Sequence, residues 1–152
     1  EPLYVQFYEI AFQDLKKECG FHPMAAQMVR MLRDEGYGVI LATNPMFPAI
    51  ATHSRVRWAG LEPSDFDLIT TYENSCHSKP NIAYYRDILE TMNLKPEECL
   101  MVGNDVDEDM IAETLGMKVF LLTDCLLNRK NKDIRGYPQG SFPELLKYIR
   151  VL

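Results

Sequence analysis

The stretch L-M-V-G-N-D-V-D-E-D-M, Leu100 to Met110, runs from an apolar segment into a row of acids. An apolar run closed by Gly103 predicts a strand buried on both faces, and Val106 to Leu115 predicts the helix that follows it. The same unit recurs outward in both directions. Upstream, GVILATN (residues 38–44) and DLITTY (67–72) read as strands, and Pro23 to Gly36, Pro48 to Gly60 and Pro80 to Met92 read as helices. Downstream, KVFLLT (118–123) reads as a strand, Asp124 to Gly140 as a polar loop and Ser141 to Val151 as a last helix. Leu3 to Cys19 carries apolar residues at spacings of three and four, predicting one amphipathic helix ended by Gly20. Alternation of this kind implies an α/β fold, a parallel sheet with helices on both faces.

A chain of 152 residues, 47% of them hydrophobic, is long enough to bury one core and too short for two ordinary domains. Its charged fraction of 25% and formal charge of -6 predict a soluble, mildly acidic protein with no nucleic-acid partner, so any phosphate it binds is small. Cys19, Cys76, Cys99 and Cys125 are widely spaced, which argues against a zinc site or a redox dithiol. Cys99 and Cys125 lie beside apolar runs and read as buried thiols. With no signal peptide and no run of 18 apolar residues, the expectation is a cytoplasmic location and no membrane partner.

In an open parallel sheet, ligands gather beyond the carboxyl ends of the strands, which selects three loops. Thr43 ends the first strand, and its hydroxyl with the amides around Asn44 suits a phosphoryl oxygen; an Asn-Pro turn with no ligand is the plainer account. Lys79 precedes Pro80, which reads as the first residue of a helix. A helix N-terminus disfavours a cation by roughly 0.3 to 1 kcal/mol, so Lys79 there calls for a phosphate or for carboxylates. In the acidic loop, Asp107 and Glu108 are explained as cap and dipole partners of the helix. Asn104 and Asp105, which follow Gly103 at once, are not so explained, and this loop could supply the one or two carboxylates that magnesium takes, its other positions going to water and phosphate oxygens. His22, His53 and His77 read as surface or capping residues, and Trp58 with Met24, Met28 and Met31 as core.

Strand-Thr43-Asn44, then Lys79-Pro80, then strand-Gly103-Asn104-Asp105 with Asp109 beyond, resemble in order and spacing the second, third and fourth motifs of the haloacid dehalogenase (HAD) superfamily. The resemblance implies a Rossmann-like three-layer core over residues 21–152 and, over residues 1–20, the remnant of a helical cap. It also implies a Mg2+-dependent phosphatase of a small phosphorylated metabolite, working through an aspartyl-phosphate. By the same resemblance Thr43 and Asn44 hold the phosphoryl group, Lys79 neutralises the nucleophile and the phosphate, and Asn104, Asp105 and Asp109 hold the metal. Asn104 stands where many members have Asp, so the ligating carboxylate is Asp105 or Asp109.

The family's first motif, an Asp-x-Asp after a strand, does not occur before Thr43; the Asp-x-Asp arrangements present begin at Asp65, Asp105 and Asp107. In this fold that strand lies at the centre of the sheet, and its absence would leave backbone groups unsatisfied at about 1 to 3 kcal/mol each. The expectation is an upstream segment of the same protein that supplies both strand and nucleophile, without which this chain is inactive. Two other readings remain open. Asn104 and the missing motif permit a catalytically inactive HAD-like binding module. A phosphoacceptor receiver-like signalling domain shares the residue types but places its acidic pair before, not after, the Lys-Pro. The basic loop Asn128 to Arg135 reads as solvated.

Overall fold

Capping side chains and prolines decide where the helices of this chain begin. His22 accepts the Met24 N–H on Nδ1 (3.3 Å) ahead of Pro23, so α2 spans Pro23–Asp34. Pro48 precedes α3, Ala49–Trp58, whose first N–H is held by both oxygens of Glu73 at 3.0 and 2.9 Å. Asn81 accepts the Ala83 N–H at 3.0 Å and opens α4, Ile82–Met92, which Asn93 closes in the left-handed conformation. A Ser141/Glu144 capping box opens α5, Phe142–Ile149. The computed structural model describes residues 2–152, so Glu1, at the start of the expected N-terminal segment, lies outside the described residues.

The chain forms two compact units, one ending at Ser75 and one beginning at Cys76. In the first, α1 spans Pro2–Glu9 and is followed by a 3₁₀ helix, Ala11–Glu18. The single helix expected over Leu3 to Cys19 is therefore broken. The Tyr8 carbonyl, which an unbroken helix would give to its own ladder, instead accepts the Gln13 side chain at 2.9 Å, and that amide also reaches Ser54 Oγ at 2.9 Å. Tyr8 and Phe12 pack on Ala51, with Phe12 stacked on Trp58 at 5.3 Å. A second cluster joins Ala26, Val56, Leu61 and Ile69.

Strands β1, Ile40–Leu41, and β2, Leu68–Ile69, pair in parallel. They are shorter and less covered than expected of strands buried on both faces, since Ile40 and Leu41 are only half-buried. Flanking bonds extend the pairing: Asp67 N–H to Val39 O (2.8 Å) and Thr70 N–H to Leu41 O (3.2 Å).

In the second unit, β3 (Leu100–Gly103), β4 (Lys118–Leu122) and β5 (Gln139–Gly140) form a parallel sheet in the order β3-β4-β5. Central β4 buries Val119, Phe120 and Leu121, whereas β5 falls in the stretch expected to be only loop. The helix expected over Val106 to Leu115 is replaced by a turn, in which Asp105 Oδ1 accepts the Asp107 and Glu108 N–H groups, and a 3₁₀ helix, Met110–Leu115. Cys99 is half-buried, and burial pushes its thiol above the ordinary value; Cys125 is exposed, contrary to the expectation of a buried thiol. Among the described residues no helix is long and apolar enough to cross a membrane.

Asp67 ties the first unit together, accepting the Arg33 guanidinium on Oδ1 and the Val39 N–H on Oδ2 (2.9 Å). These bonds, Arg33 first, hold its carboxyl below the ordinary value. A depressed folded-state value stabilises above the unfolded value of about 3.9, and that stabilisation is lost as pH falls through the folded value. Asp67→Asn is therefore expected to lower stability at pH 7 by about 1 kcal/mol. The gap from the parent should close below about pH 4, as read from urea midpoints across that range.

Candidate active site

Gly103 ends β3 without a side chain, and Asp109 occupies the space that one would take. A Cβ at position 103 would lie 2.2 Å from Asp109 Oδ2. That oxygen accepts the Asp105 N–H at 2.9 Å, and Oδ1 accepts Lys79 Nζ at 2.6 Å. Both side chains of the pair are 6% exposed. Pro80 is not the first residue of the helix, as expected, because Asn81 takes the cap and α4 starts at Ile82. Of the two compensations Lys79 called for, the structure contains the carboxylate.

Tyr84 and Tyr85, buried on the inner face of α4, flank Lys79 with each ring centroid 5.8 Å from Nζ. Burial, and then the charge of Asp109, push the Tyr85 phenol far above its ordinary range. It stays protonated and donates to the Glu108 carbonyl at 2.7 Å.

Asp105 is 6% exposed. Its Oδ1 accepts the N–H groups of Asp107 and Glu108, each at 3.0 Å, and its Oδ2 accepts Arg129 at 2.7 Å. Asp107 meets Lys132 at 2.6 Å and Lys130 at 3.2 Å, and these bonds, Lys132 first, hold its carboxyl below the ordinary value. The backbone joins the two loops as well, through Leu127 N–H to Asn104 O (2.8 Å) and Val106 N–H to Leu127 O (3.0 Å). The Asn104 amide donates to Cys125 O at 2.6 Å. The basic loop is thus not merely solvated, and Asp107 serves it rather than a helix dipole.

Thr43 and Asn44 lie in the first unit, at the end of β1, both half-buried. The Thr43 carbonyl accepts the Thr70 hydroxyl at 2.6 Å, and the Asn44 carbonyl accepts the Met46 N–H at 2.8 Å. Thr43 lines a cleft of about 300 Å³ with Thr52, Arg55, Trp58 and Phe66. In the second unit the structure brings Lys79, Asn104, Asp105 and Asp109 to one strand end. Sequence reasoning missed the Tyr84-Tyr85 pair and the cations on the acidic loop. The matched charge of NRKNK and DVDED was the available signal for the latter. His77 is half-exposed and pairs with Asp87 at 2.6 Å.

Among the described residues no group of three or more His, Cys, Asp and Glu is placed to hold a metal ion. Magnesium does not need such a group, because it keeps several waters and takes one or two carboxylates. Asp105 fits that demand, with a buried hard-oxygen carboxylate whose Oδ2 faces an exposed cation. Both carboxylates have engaged oxygens, but Asp109 fits it poorly, since its partners are the buried Lys79 and the Asp105 amide, whereas Arg129 on Asp105 Oδ2 is exposed.

A family model for haloacid dehalogenase-like hydrolases matches residues 3–112, and the chain belongs to that family. A glyceraldehyde 3-phosphate phosphatase of Methanocaldococcus jannaschii is 33% identical over 99 residues, covering 61% of this chain and 41% of that protein. The chain spans less than half the length of the curated relatives it matches. Among solved structures, a HAD phosphatase from Thermococcus onnurineus superposes with a TM-score of 0.73 at 23% identity, over 93% of this chain and 64% of that one. The HAD-hydrolase YfnB of Bacillus subtilis, bound to magnesium, superposes with a TM-score of 0.66 at 18% identity, over 81% of this chain and 53% of that one. At these identities the two structures establish the fold, a HAD-like, Rossmann-type α/β core.

Removing one member of a buried ion pair leaves a charge with no compensation, at about 3 to 5 kcal/mol. Lys79→Ala is expected to cost that much, and Gly103→Ala about 1 to 3 kcal/mol by forcing Asp109 aside. In denaturant titrations the Lys79→Ala/Asp109→Ala double variant should lose clearly less than the two singles added together.

Proposed function

We propose that the protein is a magnesium-dependent phosphatase of a small phosphorylated metabolite, with glyceraldehyde 3-phosphate the first substrate to try in view of the relative bearing that name. The observation that carries this reading is the buried Lys79–Asp109 pair beside Asp105 at the carboxyl end of β3. An ammonium has three N–H donors, so one carboxylate does not exhaust it, and Asp109 aims Lys79 rather than silencing it. In this reading Lys79 holds nucleophile and phosphoryl group together by charge, while Thr43 and Asn44 donate to the phosphoryl oxygens. Magnesium, when bound, neutralises phosphate charge, and Asp105 is the residue that would hold it, with Asn104 beside it.

The nucleophile belongs to an upstream segment of the same protein, and the segment of residues 1–20 is the tail of a cap. What supports a further strand is the pairing: among the described residues β1 pairs only with β2, and β3 only with β4, in two separate sheets. An aspartate oxygen of that segment attacks phosphorus as the ester P–O bond breaks and the leaving alkoxide takes a proton. Water then attacks the acyl phosphate, releasing inorganic phosphate and restoring the carboxylate. A cytoplasmic site of action, with neither nucleic acid nor membrane as partner, completes the proposal; none of the four cysteines is in a disulfide.

Phosphate release by the full-length protein should require magnesium and stop on chelation. Lys79→Ala and Thr43→Ala should each lower kcat by about 100-fold or more. The second reading, an inactive HAD-like binding module, draws on Asn104, which stands where many members have Asp and whose amide is bonded to Cys125 O. No turnover above background across a broad panel of phosphorylated metabolites would establish it in place of the first.

A further inference from the structure

The two oxygens of Asp105 are held in different ways. Oδ1 is locked into the turn by two backbone N–H groups of its own loop. Oδ2 is held by the Arg129 guanidinium, a charged group from elsewhere in the chain. The Asp105 side chain is 8% exposed and Arg129 63%. The arginine can therefore leave for water at little desolvation cost, whereas the carboxylate cannot. Departure of Arg129 need not detach its loop. Leu127 stays paired with Asn104 and Val106, Cys125 O with the Asn104 amide, and Lys130 and Lys132 with Asp107.

We propose that Arg129 is a displaceable counter-cation that competes with the divalent metal for Asp105 Oδ2, and so sets the metal concentration at which the site loads. This rests on Asp105 as the metal-holding residue of the function proposed above. Two cations on one oxygen repel, so occupancy by either weakens the other. By linkage the weakening is reciprocal: metal loosens Arg129 by the same factor as Arg129 weakens metal. Arg129 then needs neither to touch substrate nor to titrate; it acts through the carboxylate that it covers.

The test is calorimetric titration of the full-length protein with Mg2+ for the parent, Arg129→Gln, Arg129→Lys and Lys130→Gln. Lys130→Gln removes the same charge from the same loop, but its partner is Asp107. Arg129→Gln is expected to bind Mg2+ about three- to tenfold more tightly than the parent, and Lys130→Gln within about twofold of it. Arg129→Lys should lie between parent and Arg129→Gln, and the Arg129 guanidinium resonance should lose its exchange protection as the parent is loaded. Equal affinity of parent and Arg129→Gln overturns the inference and leaves the phosphatase reading standing. Equal tightening by Lys130→Gln also overturns it, as an effect of net charge alone. Failure of parent and variants alike to bind Mg2+ removes both the inference and the magnesium-dependent function.

Discussion

A carboxylate buried beyond the reach of water must find its donors inside the protein, and Asp109 finds two on opposite sides. Asp105 N–H reaches one oxygen and Lys79 the other, and the carboxylate lies where a side chain of residue 103 would otherwise be. These bonds join the end of β3, the turn after it and the segment before α4. A buried ion pair is weak evidence for stability, because desolvation of both charges offsets most of their attraction. Its importance here is positional. It holds an ammonium over two tyrosine rings at the sheet edge where an α/β fold gathers ligands.

Much of the second unit was legible in the sequence. The apolar runs that became β3 and β4 are strongly patterned, and the spacing from Gly103 to Asp109 carried the family resemblance that the family model bears out. What escaped were departures made by side chains competing with the backbone. Gln13 takes the Tyr8 carbonyl and splits a helix that periodicity alone would continue. Asn81, whose side chain accepts the Ala83 N–H, moved the start of α4 from Pro80 to Ile82. The pairing of NRKNK with DVDED showed in the sequence only as matched charge, because ion pairs between loops follow no local period.

The cations around the acidic loop form two populations. Lys79 is buried with its partner, so its attraction to Asp109 is little screened by salt. Arg129, Lys130 and Lys132 reach in from solvent, with half or more of each side chain exposed, so their bonds weaken as ionic strength rises. One loop thus holds a fixed positive charge on its inner side and exchangeable ones on its outer side. That gradation suits a surface that must release cations without losing its shape.

The fit of Asp109 into the space beside Gly103 also bears on how such a chain can diverge. A side chain at 103 forces the acid at 109 aside, and shortening the acid leaves Lys79 buried without its partner. Neither position can drift alone. Gly103, Lys79 and Asp109 are therefore coupled energetically, so that a change at one is best accommodated by changes at the others.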